Sequence, residues 1–337
     1  MIMKKIIKKI LAGFGCILLA SIVGFAVYII AVKPAVIVPA STDPIIVSED
    51  ANATVVAWGD PQISNYMKAR EANYNAACAD IKQAQGNIDA IINVGDIAEN
   101  ALKSEYKAAV AGVEGADVDK YLMATGNHDV RLRLYSQTVK RFTTFTNDMN
   151  ALAKDGMKID ALSYTADVNG YKFIVLGTDR TEFEEAYFTQ ETLDWLDNEI
   201  ATYAKDGQPV FVVLHQPLFA NDHGLPQAWG SGNSPGKGTV GENGQQLYDI
   251  MNKYDNVFML SGHLHAGLKN GQSYQEIGAI HSLNLPSVGI TNADGDYNNA
   301  GTGYIIEIYD DSVVFKARDF VIGQYLPEYD FTVELTK

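Results

Sequence analysis

The feature that most constrains the fold of this chain is a regular alternation of short apolar runs with longer helical patterns. Alternation of this kind predicts an α/β body built around a sheet. Asn169-Gly170 between two strand-like runs predicts a hairpin. The strand-like remainder after His265, which includes runs at 303–309 and 312–320, is expected to complete a layered sheet. The runs of strand length cover residues 54–58, 89–94, 121–124, 210–214 and 257–260. The helical patterns cover residues 65–85, 99–113, 131–153, 189–203 and 244–254.

Polar side chains follow five of these apolar runs. In open α/β sheets, ligands bind at the carboxyl ends of the strands, so polar groups that recur there are expected to converge at one edge. Carboxylate, amide and imidazole groups suit Fe, Mn or Zn, and here they are too many for one ion and about enough for two. A single run, such as Asn127-His128-Asp129, is equally consistent with an ordinary polar turn. The side chains in question are Asp60, Asp96, Asn127 with His128, His215, and His263 with His265.

In chain order, these residues resemble the motifs of the calcineurin-like metallophosphoesterase superfamily. The family's pattern runs Asp-x-His, Gly-Asp, Gly-Asn-His-Asp/Glu, a single His and Gly-His-x-His. The resemblance implies a four-layer α/β/β/α sandwich over residues 54–337, in which helices flank two sheets. It also implies a metal-dependent enzyme that hydrolyses phosphate mono- or diesters. The matching stretches are Asp60-Pro61-Gln62, Gly95-Asp96, Gly126-Asn127-His128-Asp129, His215 and Gly262-His263-Leu264-His265.

The resemblance further implies two divalent or trivalent metal ions, with Mn, Fe and Zn left open. A hydroxide generated on the metals would attack the phosphorus. His128 would act as the general acid that protonates the leaving oxygen, and Asp129 would orient its imidazole. The implied ligands are Asp96 between the two ions, Asp60 and His265 on the first ion, and Asn127, His215 and His263 on the second.

Gln62 is a departure from the family's pattern, because the first motif normally ends in histidine. Two interpretations stay open: either Gln62 ligates the first metal through its carbonyl oxygen, or that metal is held more weakly. Asp60-Pro61-Gln62 itself resembles a subgroup that includes a eukaryotic protein phosphatase, which favours a variant site over a broken one. The alternative functions are a non-catalytic or weakly active phosphate-ester-binding protein with an impaired first metal site, and a phosphoprotein or nucleotide phosphatase.

The first 33 residues differ in character from the rest of the chain. They contain five lysines and no acid, and residues 10–32 form an apolar run long enough for a membrane-spanning helix. We predict an uncleaved signal anchor, with a cleaved signal peptide as the alternative. Because the lysines cluster before the span, the N-terminus is predicted to be cytoplasmic and the catalytic domain extracytoplasmic. Residues 34–53, with three prolines, are predicted to form an extended linker.

The net charge of −15 at pH 7 argues against nucleic acid as a bulk partner, since phosphate backbones attract basic surfaces. Acidic bodies also repel large polyanions at long range. The expected partners are therefore a small phosphate ester of unknown identity and, through the N-terminal helix, a membrane. Selectivity for the ester is expected to lie in loops such as residues 217–241, which are rich in Gly, Pro and Asn.

Four further polar residues near the motifs are given surface or structural roles. Glu99 is expected to start the helix that follows Asp96, where a carboxylate favours the helix dipole; the alternative is that it supports the site. Arg131 and Arg133 are expected on a helix surface, although either could bind a substrate phosphate. His223 is expected to be a solvated loop histidine, with contact to substrate as the alternative.

Overall fold

The computed structural model describes residues 43–204, 207–220, 222–224 and 238–337. The helices in these ranges are α1 Lys68–Ile81, α2 Lys103–Val113, the single turn α3 Asn127–Val130, α4 Tyr135–Asn150, α5 Gln190–Ala204 and α6 Gly244–Met251. The strands are β1 Ala53–Trp58, β2 Ile88–Asn93, β3 Val118–Met123, β4 Tyr164–Val168, β5 Tyr171–Val175, β6 Val210–Val213, β7 Val257–Ser261, β8 Tyr274–Ile277, β9 Ile280–Asn284, β10 Thr302–Ile308, β11 Ser312–Asp319, β12 Gln324–Tyr325 and β13 Phe331–Glu334.

The first sheet has the strand order β12-β11-β10-β1-β2-β3, and β13 also pairs with β11. Strands β1, β2 and β3 are parallel, whereas β10 runs antiparallel to β1. The register places Trp58 opposite Asn93, and Asn93 opposite Met123. The three parallel strands therefore end at the same edge of the sheet, so the loops that follow them are neighbours.

The second sheet has the strand order β4-β5-β6-β7-β9-β8. Strands β4 and β5 form the hairpin predicted at Asn169-Gly170, and both turn residues have positive φ, 50° and 89°. Strands β5, β6, β7 and β9 are parallel. Val213 lies opposite Leu260, so the loops after β6 and β7 also leave side by side.

Each sheet packs one face against the other sheet and its opposite face against helices. Along β1, Val55 joins the core between the sheets, whereas Val56 and Trp58 pack toward α1, α2 and α4. In the second sheet, Phe211 faces the first sheet and Val212 packs toward α5 and α6. The period-two alternation of buried side chains along each strand produces this arrangement. The layers run helix, sheet, sheet, helix, which confirms the predicted mixed α/β fold with two sheets.

The predicted membrane localisation is contradicted. Within the described ranges, the structure contains no helix that is both long and apolar enough to cross a membrane. The segment on which the prediction depended, residues 10–32, lies outside the described residues. The single-pass topology, with a cytoplasmic N-terminus and an extracytoplasmic catalytic domain, is therefore withdrawn.

The last part of the predicted linker contacts the rest of the fold. Ile45 is fully buried. Gln85 N donates to Ile45 O at 2.7 Å, and Val47 N donates to Gln85 O at 3.0 Å. Arg318 Nη2 donates to Asp43 O at 2.8 Å. Residues 43–47 are thus fixed to the body before β1 begins.

Candidate functional site

The motif loops meet at one edge of the two sheets. Gln62 N donates to Asp96 O at 2.8 Å and thereby joins the loops after β1 and β2. Gly262 N donates to His215 O at 2.9 Å and joins the loops after β6 and β7. The seven predicted metal ligands come together here, and all are buried: Asp60, Gln62, Asp96, Asn127, His215, His263 and His265.

Several of these residues have left-handed backbone conformations. The φ angles are 52° at Asp60, 38° at Gln62, 53° at Asp96, 69° at His263 and 47° at His265. Such conformations cost non-glycine residues about 1–3 kcal/mol each and persist where the surrounding structure holds them, often at functional sites. Here they turn each side chain into the space between the loops.

Two groups of potential ligand atoms form around one carboxylate. Asp96, His215 and His263 offer atoms within 4.8 Å of one another. Asp60, Asp96 and His265 form a second group, whose potential ligand atoms also lie within 4.8 Å of one another. Asp96 belongs to both groups, so its carboxylate lies where a ligand shared by two cations would lie.

The donor atoms of the Asp96–His215–His263 group fit a cation. His263 is 1% exposed, and its Nε2 has no hydrogen-bond partner among the described residues. An unpaired buried polar group costs about 1–3 kcal/mol, which coordination to a cation would remove. His215 Nε2 lies 3.1 Å from His263 Nδ1, 3.2 Å from Asn127 Oδ1 and 3.3 Å from Asp96 Oδ2. Nitrogen and oxygen donors in this combination suit Mn, Fe and Zn.

Burial and mutual attraction shift the pKa values of the clustered groups in different directions. Burial alone would lower the pKa of His215, but the carboxylates of Asp96 and Asp60 raise it to about 9. Burial and the neighbouring His215 lower the pKa of His263 well below 6.5. Burial opposes ionisation of Asp96, yet His215 and His128 hold its pKa well below 3.8. Near neutral pH, the metal-free site therefore pairs an ionised Asp96 with a protonated His215.

His128 faces the Asp96 carboxylate from the partly open side of the site. Its Nε2 lies 3.9 Å from Asp96 Oδ2, and its side chain is 14% exposed. Its Nδ1 lies 2.9 Å from both Glu99 O and Arg131 Nη2. A protonated Nδ1 donates to Glu99 O, whereas an unprotonated Nδ1 accepts from Arg131, so one of these hydrogen bonds forms at a time. With Arg131 donating, the neutral imidazole keeps its proton on Nε2, the atom that faces Asp96.

Asp129 supports the backbone of the motif loops, which corrects the expectation that it orients His128. Its buried carboxylate accepts four hydrogen bonds, and none comes from that imidazole among the described residues. Burial and the nearby Asp96 charge raise the pKa of Asp129 to about 7. The four donors are Ile97 N at 3.1 Å, Ala98 N at 3.2 Å, Gly126 N at 3.0 Å and Tyr106 Oη at 2.9 Å.

Replacing Asp129 with alanine is expected to lower the free energy of unfolding by about 3 kcal/mol, because buried donors left unpaired cost about 1–3 kcal/mol each. Asp129→Asn keeps one acceptor oxygen and should cost less. Urea unfolding of the metal-free proteins measures both changes. A loss below about 1 kcal/mol in Asp129→Ala, together with a loss of turnover, would instead support the original assignment to His128.

Gly126 is required for space and not for its backbone angle. Its φ of −101° is available to any residue. A Cβ at this position would lie 2.1 Å from Asp96 Oδ1 and 2.4 Å from Asp96 N. Only glycine lets the third motif approach the shared carboxylate this closely.

Glu99 and Arg70 belong to the site, a role that was the alternative interpretation for Glu99 and was not predicted for Arg70. Glu99 forms an ion pair with Arg70, and its Oε2 lies 3.5 Å from His128 Nδ1. Helix α2 begins only at Lys103, so the expectation that Glu99 starts this helix is wrong. The position of Glu99 directly after the second motif was the available signal, whereas Arg70 on α1 carried none.

Glu184, from the loop between β5 and α5, fixes the amide of Asn127. Its carboxylate accepts from Asn127 Nδ2 at 2.7 Å and from Arg131 Nη1 at 3.2 Å. This contact leaves Asn127 Oδ1 directed at His215. The preceding residue, Phe183, is 63% exposed, and its ring centroid lies 5.3 Å from the Arg131 guanidinium carbon. No motif in the sequence marks this loop.

His223 and Arg133 have structural contacts elsewhere. His223 is buried, with Nδ1 2.6 Å from Gln272 O and Nε2 3.1 Å from Ser282 Oγ, so the expectation of a solvated histidine is wrong. Arg133 Nη2 donates to Asn100 O at 2.9 Å. Within the predicted selectivity loop, residue 221 and residues 225–237 lie outside the described ranges.

A comparison with known families identifies the relationship. The sequence profile of the calcineurin-like phosphoesterases matches residues 53–267, which include all five motifs and 215 of the 337 residues. The chain belongs to the calcineurin-like phosphoesterase family. This membership confirms the predicted resemblance, and it supports the predicted enzyme class, a hydrolase acting on phosphoric ester bonds.

Two similar proteins are informative about this phosphoesterase. A 3',5'-cyclic-nucleotide phosphodiesterase from Nostoc sp. is 21% identical over 208 residues. The matched region spans 61% of this chain and 65% of that relative, slightly less than two thirds of its length. The crystal structure of a dimetal phosphatase from Danio rerio superposes with a TM-score of 0.57 at 14% identity, covering 85% of this chain and 100% of that one. At 14% sequence identity, this structural similarity supports the assignment of the fold alone.

Metal binding by this phosphoesterase is expected to release a proton from His215. In the metal-free protein, His215 is protonated below its pKa of about 9, but a histidine ligand must be neutral. The apparent affinity for Mn²⁺ should therefore rise from about pH 6 to about pH 8 and level off above the His215 pKa. Calorimetric titrations in two buffers with different ionisation enthalpies count the released protons. An affinity that is constant over this range would contradict the prediction.

Proposed function

We propose that this phosphoesterase hydrolyses small phosphate esters, and phosphodiesters in particular, with two bound metal ions. The observation that carries the proposal is the pair of ligand groups that share Asp96, with His128 Nε2 3.9 Å from that carboxylate. The description of the Danio rerio protein as a dimetal phosphatase supports two ions. The description of the Nostoc relative as a phosphodiesterase supports diesters. The acidic net charge of −15 favours small esters over polyanions.

The proposed ligand sets follow the two groups. Bound metal ions supply Lewis acidity that neutralises the phosphoryl oxygens and activates water; Mn, Fe and Zn all suit the donors. The donors for one ion are Asp60, Asp96 and His265, and those for the other are Asp96, Asn127, His215 and His263.

His128 is proposed as the general acid. Its Nε2 is the ring atom directed toward Asp96, while its Nδ1 is close to Arg131. As an imidazolium, His128 would carry a proton on each ring nitrogen, with Nδ1 donating to Glu99 O. Nε2 would then donate its proton to the leaving oxygen of an ester bound beside Asp96, and the ring would return to the neutral imidazole with its remaining proton on Nδ1. Asp129 supports the loops that hold both residues.

A second candidate function is the binding of phosphate esters without turnover. One observation favours it: Gln62 directs its amide nitrogen, and not its oxygen, at Asp96 Oδ2, at a distance of 3.0 Å. An ion at the Asp60–Asp96–His265 group would then lack a ligand that the family's usual histidine supplies. Metal stoichiometry distinguishes the two functions, because turnover requires both ions.

The full-length chain, stripped with EDTA and reloaded with Mn²⁺, Fe²⁺ or Zn²⁺, tests the proposal. The substrates are bis-p-nitrophenyl phosphate, 3',5'-cyclic AMP, p-nitrophenyl phosphate and a phosphoserine peptide. We expect metal-dependent turnover with two ions per chain and the highest kcat/KM on a diester. Preference for the phosphopeptide would indicate a protein phosphatase instead. Ester binding without turnover, with fewer than two ions bound, would establish the binding protein.

A further inference from the structure

The amide of Gln62 is held from both sides. Arg70 Nη1 donates to Gln62 Oε1 at 3.1 Å. On the other side, Gln62 Nε2 donates to Asp96 Oδ2 at 3.0 Å and lies 3.4 Å from His265 Nε2. Gln62 is 3% exposed. The amide therefore presents nitrogen to the two proposed metal ligands and oxygen to Arg70.

Arg70 selects this orientation. A guanidinium has N–H donors and no acceptor, so a flipped Gln62 would place its NH₂ group against the donors of Arg70. Arg70 is in turn fixed by its ion pair with Glu99, and each of these two side chains is 18% exposed. Partly buried, charge-assisted contacts of this kind hold geometry better than exposed ones.

A metal ion and Arg70 compete for the same atom. The carbonyl oxygen is the ligating atom of a glutamine amide, and an N–H group directed at a cation is repelled. Asp96 Oδ2 and His265 Nε2, the two atoms nearest the amide nitrogen, belong to the Asp60–Asp96–His265 group. Either Gln62 turns its oxygen to the ion and faces Arg70 with its NH₂ group, or it keeps Arg70 and does not ligate.

We propose that Arg70 is a positioning residue that keeps Gln62 in the donor orientation, so that the ion at Asp60, Asp96 and His265 binds without Gln62 and more weakly than its neighbour. This inference depends on the proposed two-metal function. It resolves the two interpretations of Gln62 in favour of a weaker first metal. It also makes Arg70, through Gln62, a determinant of how readily this ion exchanges.

Mn²⁺ binding to the full-length chain, followed by electron paramagnetic resonance and calorimetry, tests the inference independently of activity. In Arg70→Gln, the new amide can accept from a flipped Gln62 and still donate to Glu99. We expect the weaker Mn²⁺ site to tighten by about tenfold to a hundredfold, the usual size of effects from residues behind the ligands. Circular dichroism and thermal unfolding confirm that the variant folds.

Removal of any positive charge near a cation site increases the affinity of that site for Mn²⁺. A control variant that removes a different positive charge from the same site is therefore needed. Arg131→Gln removes the same charge from the same site, but Arg131 contacts His128 and Glu184 instead of Gln62. We expect a smaller increase in affinity in this variant. A double-mutant cycle with Gln62→Ala isolates the coupling between Arg70 and Gln62. Without the Gln62 amide, Arg70 has nothing to orient, so the increase in Mn²⁺ affinity beyond that of Arg131→Gln should vanish.

Each outcome decides the question. Two outcomes would overturn the role of Arg70 while leaving the two-metal function intact. One is an equal increase in Mn²⁺ affinity in Arg70→Gln and Arg131→Gln. The other is an increase in Arg70→Gln that persists when Gln62→Ala is also present. Two sites of equal affinity in the unmodified chain would likewise overturn the role of Arg70 alone. Absence of Mn²⁺ binding in the unmodified chain and in every variant would overturn both the two-metal function and this inference.

Discussion

Replacing Asp96 with asparagine is expected to remove bound metal and turnover together. Asp96 belongs to both ligand groups, and its pKa, held well below 3.8, keeps a negative charge between the proposed ions. Asparagine has nearly the same shape but no charge to offset the repulsion between two cations. Two-metal stabilisation of the transition state contributes several kcal/mol, so kcat/KM should fall by about a thousandfold or more.

The metal content of Asp96→Asn is measured by elemental analysis after gel filtration, beside turnover of the best substrate. Asp89→Asn is a matched control, because it makes the same change near the opposite end of β2. Asp89 Oδ2 accepts from Thr54 N at 2.7 Å, and asparagine can keep that hydrogen bond. We expect the control to retain two ions and its activity. If Asp96→Asn also retained two ions and its activity, Asp96 would not be the shared ligand.

Replacing His128 with alanine is expected to lower kcat by about a hundredfold to ten-thousandfold while both metals stay bound. His128 belongs to neither ligand group, but its Nε2 lies 3.9 Å from the shared carboxylate. An alkoxide leaving group requires a proton, whereas p-nitrophenolate leaves readily without one. The loss should therefore be largest on alkyl esters and smallest on p-nitrophenyl esters.

A comparison of kcat across leaving groups of different pKa measures this effect. His281→Asn is a suitable control, since His281 lies in β9 and its Nδ1 contacts Tyr274 Oη at 2.8 Å, apart from the motif loops. In the control, kcat should depend on the pKa of the leaving group as it does in the unmodified chain. A uniform loss across all leaving groups in His128→Ala would assign His128 to substrate binding, and loss of metal would make it a ligand.

The elements of the fold were predictable where local pattern determines them. The buried run at 210–214 is strand Val210–Val213, and the run at 257–260 is strand Val257–Ser261. Helix boundaries were less accurate. The pattern at 131–153 forms helix Tyr135–Asn150. This helix begins later than predicted because the chain first completes the separate turn Asn127–Val130 of the third motif. Strand Tyr274–Ile277 was not delimited within the strand-like remainder after His265, since it lacks an apolar run and exists through its pairing at a sheet edge.

The site was predictable to the extent that its residues directly follow strands. The order of the motifs brought Asp60, Asp96 and the histidines to one edge, because parallel strands share a direction. The role of Asp129 was not predictable in the same way. The resemblance implied that Asp129 orients His128, but the helical turn at Asn127–Val130 directs the Asp129 carboxylate back to Gly126 N, three residues earlier.

The sequence by itself determined the α/β class and the set of candidate ligands, since both follow from local patterns at strand ends, and the resemblance of its motifs implied the family and the two-sheet fold. Only the tertiary structure decided what holds the ligands in place. Arg70 reaches Gln62 from a helix, and Glu184 reaches Asn127 from a loop 57 positions away along the chain. Such contacts arise when separate elements pack together at the edge of the sheets. They have no periodicity or spacing in the sequence, so the orientation of each amide became visible only in three dimensions.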